Sequence, residues 1–254
     1  MFDRKFLKGR AKEVLRVSYL KAFLVSLIML IVGGGDGSFN FNWNSNSNRY
    51  NSQYGSNSLF GQNILMSPYA GMLVKYTIIV TLILLTLRIF VGYIFEVGGR
   101  RYFVQSAQNN IDMKYLGYGF TKENYLNIIK TMLWRAILNF LWYLLLIIPG
   151  IIKSYAYRMV PYILSDNPNI GYERAVELSN EMTEGEKINM WILDLSFIGW
   201  YILGTLLFLV GVLFVMPYEN ATKAELYIEL RQNALEHGIC SYKELGLNGA
   251  SLEN

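Results

Sequence analysis

Residues 69–95 read YAGMLVKYTIIVTLILLTLRIFVGYIF, and this stretch decides the fold class. Lys75 and Arg88 bracket the uncharged run 76–87. That run is about 18 Å long at 1.5 Å per residue, so the two cations can reach opposite interfaces of a bilayer. The whole stretch exceeds the roughly 20 residues that take an α-helix across a hydrocarbon core of about 30 Å.

Composition points the same way. The chain of 254 residues is 53% hydrophobic and 17% charged, whereas a soluble domain carries about 25% charged residues. Too little polar surface is present to coat a water-facing globule. The expected fold is all-α, a polytopic helical membrane bundle of about six transmembrane helices with two similar hairpins in its C-terminal half. The net charge is only +4, and no nucleic acid is expected as a partner. One cysteine, Cys240, and one histidine, His237, make neither an internal disulfide nor a zinc site. No metal or cofactor is expected, and both residues are read as part of a solvated cytoplasmic tail, 233–254.

Toward the N-terminus, residues 1–18 place Phe2, Phe6, Leu7, Val14 and Leu15 near one helical face, with Arg4, Lys5, Lys8, Lys12 and Arg16 around the rest. This is the pattern of a basic helix on an anionic membrane surface, or of a positive flank for the next span. The first span follows at 19–32 and is read as a retained anchor rather than a cleaved signal peptide. Within the region 19–97, residues 33–67 alternate Asn and Ser with aromatics and have no hydrophobic period, which reads as a flexible external loop.

Toward the C-terminus, 98–130 is polar and holds Arg100, Arg101, Lys114, Lys122 and Lys130, the reading of a cytoplasmic loop. Gly98-Gly99 and Gly117-Tyr118-Gly119 are expected to mark turns. A third span covers 131–148 and ends at Pro149-Gly150. The following segment, IIKSYAYRMVPYIL (151–164), carries Lys153 and Arg158. Its apolar residues contribute about −0.3 to −0.6 kcal/mol each, against about +2.5 to +3.5 for each central cation. Alone it inserts poorly; as the return arm of a hairpin it becomes viable. The connector 166–187 shows Tyr172, Ala175, Val176, Ser179 and Met182 at helical spacing, with Glu173, Glu177, Glu181 and Glu184 elsewhere. Residues 188–216 fit one long tilted helix or a hairpin turning near Gly211; the hairpin is the favoured reading, so that 131–232 holds two hairpins. Met159-Val160-Pro161-Tyr162 and Val215-Met216-Pro217-Tyr218 echo one another, as in membrane folds built by duplication. The Lys/Arg distribution puts both termini in the cytoplasm.

The sequence contains no Walker loop, H-E-x-x-H or G-x-S-x-G motif, and the chain is not expected to be an enzyme. An ionisable residue inside an apolar segment marks a functional site by default. The candidate ligand-binding residues are Lys153, Tyr155, Arg158, Asp194, Glu219 and Lys223, with Asn220 beside them. One reading is a polar cavity whose cations contact an anionic lipid headgroup or peptide carboxylate. The other is interhelical pairing, for example of Arg158 with Glu219. Two functions follow: binding or movement of a lipid or peptide, or a scaffold that docks a membrane or cytoplasmic protein partner through its amphipathic segments.

Several blocks carry a resemblance: LLLIIPGII (144–152) with Ser154-Tyr155, YILSDNP (162–168), AVELS (175–179) and LSFIGW (195–200). Pro217-Tyr218, Ala221-Thr222, Ala224 and Tyr227 continue it. On these, residues 95–230 resemble an uncharacterised bacterial integral-membrane family, the domain of unknown function numbered nine-seven-five. That family is distantly similar to the membrane-anchor domain of some glycerophosphodiester phosphodiesterases. The resemblance implies a multi-pass protein of the bacterial plasma membrane and transfers no catalytic residue.

Overall fold

The structure, a computed structural model, describes residues 2–32, 68–206 and 210–247. The expected loop 33–67 lies outside them. Every regular element among the described residues is helical.

Helix α1 (Arg4–Ile31) is capped by Asp3, whose carboxylate accepts from the Lys5 N–H at 2.8 Å. The expected surface helix and first span are thus one rod, about 42 Å long. No proline interrupts residues 4–31, and Leu7, Ala11, Leu15, Ser18, Ala22, Val25 and Met29 form one buried stripe at three- and four-residue spacing. Phe6 faces outward.

Helix α2 (Pro68–Leu87) passes through a π turn (Arg88–Gly92) into α3 (Tyr93–Ala107) without a break. The expected turn at Gly98-Gly99 is not there: both glycines sit inside α3. A Cβ on Gly98 would stand 2.3 Å from the Leu116 carbonyl oxygen, and one on Gly99 2.3 Å from Met29 Sδ. They let α1 and a 3-10 segment (Met113–Phe120) approach the α3 backbone closely.

Helix α4 (Lys122–Leu145) and α5 (Ile147–Ala156) form the first hairpin. The chain reverses at Leu146, in an extended conformation (φ −160°, ψ 146°), three residues before the expected Pro149-Gly150 turn. Pro149 falls instead in the first turn of α5, where its missing N–H costs no helical hydrogen bond. Gly150 packs on Tyr143. The expected return arm 151–164 is broken. α5 ends at Ala156, and after residues 157–159 comes α6 (Val160–Asp166), whose residues Val160–Ser165 are all buried.

Helix α7 (Tyr172–Met182) buries Ala175, Val176, Leu178, Ser179 and Met182, the face expected from its spacing. The second hairpin joins α8 (Lys187–Leu206) to α9 (Val210–Glu236), with Gly204 and Gly211 in backbone contact. The echoed prolines differ in role: Pro161 opens α6, whereas Pro217 lies inside continuous α9. Residues 239–245 fold back on α7, burying Cys240 and Leu245, so the expected solvated tail is packed over this part; His237 remains exposed. Burial pushes the Cys240 thiol up to about 11.

Among the described residues, four helical stretches are long and apolar enough to cross a membrane: Arg4–Ile31, Gly71–Ala107, Lys122–Leu145 and Lys187–Thr205. Their outer faces are apolar. Ile79, Leu82, Ile83, Phe140, Leu144, Ile198 and Ile202 are all exposed, a surface far larger than water-soluble monomers present. The core forms where α1, α6 and α9 pack around α3.

Candidate functional site

The second hairpin and the end of the first bring five of the six expected residues together. Tyr155 closes α5, and Arg158 occupies the break before α6. Asp194 comes from α8, while Glu219 and Lys223 lie one turn apart on α9. Tyr155 Oη donates to Asp194 Oδ2 at 3.0 Å, and Arg158 Nη2 reaches the same oxygen at 2.7 Å. The Arg158 guanidinium also lies 4.9 Å from the Tyr155 ring centre. Lys223 Nζ meets Glu219 Oε1 at 2.7 Å, and Tyr201 Oη donates to Glu219 Oε2. Two cations and two anions therefore balance. Lys153 stands apart from them, its Nζ 5.2 Å from the Trp142 ring centre and 5.8 Å from that of Tyr157.

Beside this cluster a groove of about 430 Å³ runs along α8, within the range of small-molecule sites. Tyr155, Asp194, Tyr201 and Glu219 give it a polar floor; Trp191, Leu195, Ile198 and Ile202 give it apolar walls. The side chains of Arg158 and Lys223 are only 9% and 4% exposed and do not line it. The sequence reading put the cations foremost; the structure presents carboxylates and phenols to the groove, with the cations behind them. Asp194 Oδ1 is buried and has no hydrogen-bond partner among the described residues. Asp194 thus lines the groove with one carboxylate oxygen left unpaired behind its surface.

Sequence reasoning missed Tyr201 and Trp191, although Trp191, Asp194, Ile198, Tyr201 and Thr205 repeat at three and four residues along one face of α8. It also missed a buried polar column through the core. Arg100, wholly enclosed in α3, donates from Nη1 to Tyr162 Oη and to Asn220 Oδ1, each at 3.0 Å. Asn220 donates in turn to Ser26 Oγ at 3.0 Å. Tyr162 stacks on Tyr227, whose hydroxyl donates to Asp166 Oδ2, and Arg231 pairs with the same oxygen. Arg100 escaped notice because it fell in a segment read as a loop.

Among the described residues, no group of three or more His, Cys, Asp and Glu side chains is placed to hold a metal ion. Residues 144–234 match the model of a family described as a protein of unknown function, DUF975. The matched segment runs from the last turn of α4 into α9 and contains every residue of the groove and its ion pairs. Arg100, Ser26 and the whole of α1 to α3 lie outside it. No curated protein and no solved structure matches the chain.

Proposed function

We propose that this chain is a multi-pass protein of a bacterial plasma membrane that binds or moves an amphipathic ligand, in the first instance a lipid, without chemically transforming it. The groove along α8 supports this reading. Its walls continue the apolar outer surface, where an acyl chain loses no hydrophobic contact on entering. Its floor offers the carboxylates and phenols of Asp194, Glu219, Tyr155 and Tyr201 to a polar headgroup. Docking of a cytoplasmic partner through the amphipathic segments has less support, because those segments contact the chain itself. Lys8 donates to Ser196 and lies over Phe197, and Arg174 of α7 is tied to Glu244 and to the Ile239 carbonyl.

In this reading both termini lie in the cytoplasm and the number of helical passes is even. The basic flank Arg4, Lys5, Lys8, Lys12 and Arg16 at the start of α1 supports the cytoplasmic N-terminus. Lipid analysis of the full chain purified in mild detergent tests the ligand. The expected result is a discrete lipid class enriched over the bulk membrane, reduced about fivefold or more in Asp194→Asn and in Tyr201→Phe at unchanged folding. A bound-lipid profile equal to the bulk membrane in the wild type counts against the proposal.

A further inference from the structure

A second cleft, of about 340 Å³, lies where the start of α1, the end of α3 and the middle of α9 meet, away from the groove along α8. Arg10, Glu13, Ser106, Asn109 and Glu225 line it. Glu225 is the unusual member. Its side chain is 1% exposed, yet neither carboxylate oxygen accepts a hydrogen bond among the described residues. Arg10 Nε approaches Oε2 at 3.1 Å from a side chain that is itself 40% exposed. Oε1 has nothing comparable. A buried carboxylate held by one half-solvated cation is far from saturated, since two oxygens offer about four acceptor sites.

The surrounding charges set the sign of what would complete it. From α1 the cleft receives Arg10 and Glu13. The end of α3 brings the uncharged Ser106 and Asn109, together with the partial negative charge of a helix C-terminus. On α9 itself Glu229 adds a further carboxylate close enough to act on Glu225. Two carboxylates line the cleft against one guanidinium, and Glu229 adds negative charge from outside it. No described cluster has the ligand number for a metal ion, so the missing partner is a cation that brings its own hydrogen-bond donors. We propose that this cleft binds a small organic cation carrying N–H donors, a primary ammonium or guanidinium group, with Glu225 Oε1 as the principal acceptor and Glu13 at the rim.

The test is calorimetric titration of the full chain in detergent with butylammonium chloride. Tetramethylammonium chloride serves as a cation without N–H donors, and potassium chloride as the ionic-strength control. The expected result is saturable binding of butylammonium alone. Glu225→Gln is expected to weaken binding at least tenfold, and Arg10→Gln, which removes the resident cation, to tighten it several-fold. If Glu225→Gln fails to fold, Arg10→Gln still decides. Absence of saturable butylammonium binding in the wild type overturns the proposal. So does equal binding of tetramethylammonium or potassium, or affinity unchanged or weaker in Arg10→Gln.

Discussion

Asp166 Oδ2 receives Arg231 Nη1 and Tyr227 Oη, each at 2.7 Å, and the two charged side chains are only 3% and 6% exposed. Such a pair is weak evidence of net stabilisation, but removing one partner strands the other in a dry site. Arg231→Leu is therefore expected to destabilise the fold by about 3–5 kcal/mol. The double variant Arg231→Leu with Asp166→Asn should regain part of that loss, because no uncompensated charge remains. Thermal or denaturant unfolding in detergent reads both, and equal losses in the single and double variants would contradict the argument. This residue-scale logic also explains which functional positions were legible. Arg158, Asp194, Glu219 and Lys223 stand out because each is a charge in an apolar run. The Glu219–Lys223 pair follows from i,i+4 spacing; the Asp194 partner of Arg158 was not legible, because it depends on how α8 docks against the end of α5.

Glycine and proline carry the lesson at the scale of elements. The spans and both hairpins could be read from uncharged runs and their breaks, whereas the expected turns at Gly98-Gly99 and Pro149-Gly150 could not be placed correctly. A missing Cβ serves a turn and a close backbone approach equally well, and only the packed neighbour distinguishes them. Gly98 and Gly117 make the contrast measurable. A Cβ on Gly98 meets backbone atoms of Leu116 at 2.3–3.0 Å, whereas one on Gly117 meets nothing within 4 Å. Replacing a helical Gly by Ala normally gains about 1 kcal/mol in propensity. At position 98 that gain is opposed by overpacking of about 1–3 kcal/mol against backbone that cannot rotate away. Gly98→Ala is expected to lower the unfolding midpoint and to loosen the Met113–Phe120 segment, seen as faster amide exchange there. Gly117→Ala should change stability by less than about 0.5 kcal/mol. Equal behaviour of the two variants would remove the close-approach explanation.

For the whole molecule, the ion pairs and polar contacts define a single polar end. Asn127 meets Asn169, Asn167 donates to the Glu244 carbonyl, and Arg174 joins α7 to the returning C-terminal segment. The start of α4, the connector through α7 and the segment after α9 therefore share one side. Each hairpin leaves and returns to that side whatever its depth, so hairpin depth does not alter the parity of the termini. Parity rests on α1 and on the continuous Gly71–Ala107 helix, both long enough to cross. Depth is a separate matter of length. From exposed Lys130 to Leu145 is about 22 Å, and from Lys187 to Leu206 about 29 Å, against a hydrocarbon core of about 30 Å. By length the second hairpin is able to span that core and the first, counted from Lys130, is not. A fluorescent reporter that matures only in the cytoplasm is expected to be bright at the C-terminus, and a phosphatase that needs an oxidising exterior to be inactive there. An active C-terminal phosphatase would mean that one of the two long helices does not cross, or that both termini lie outside.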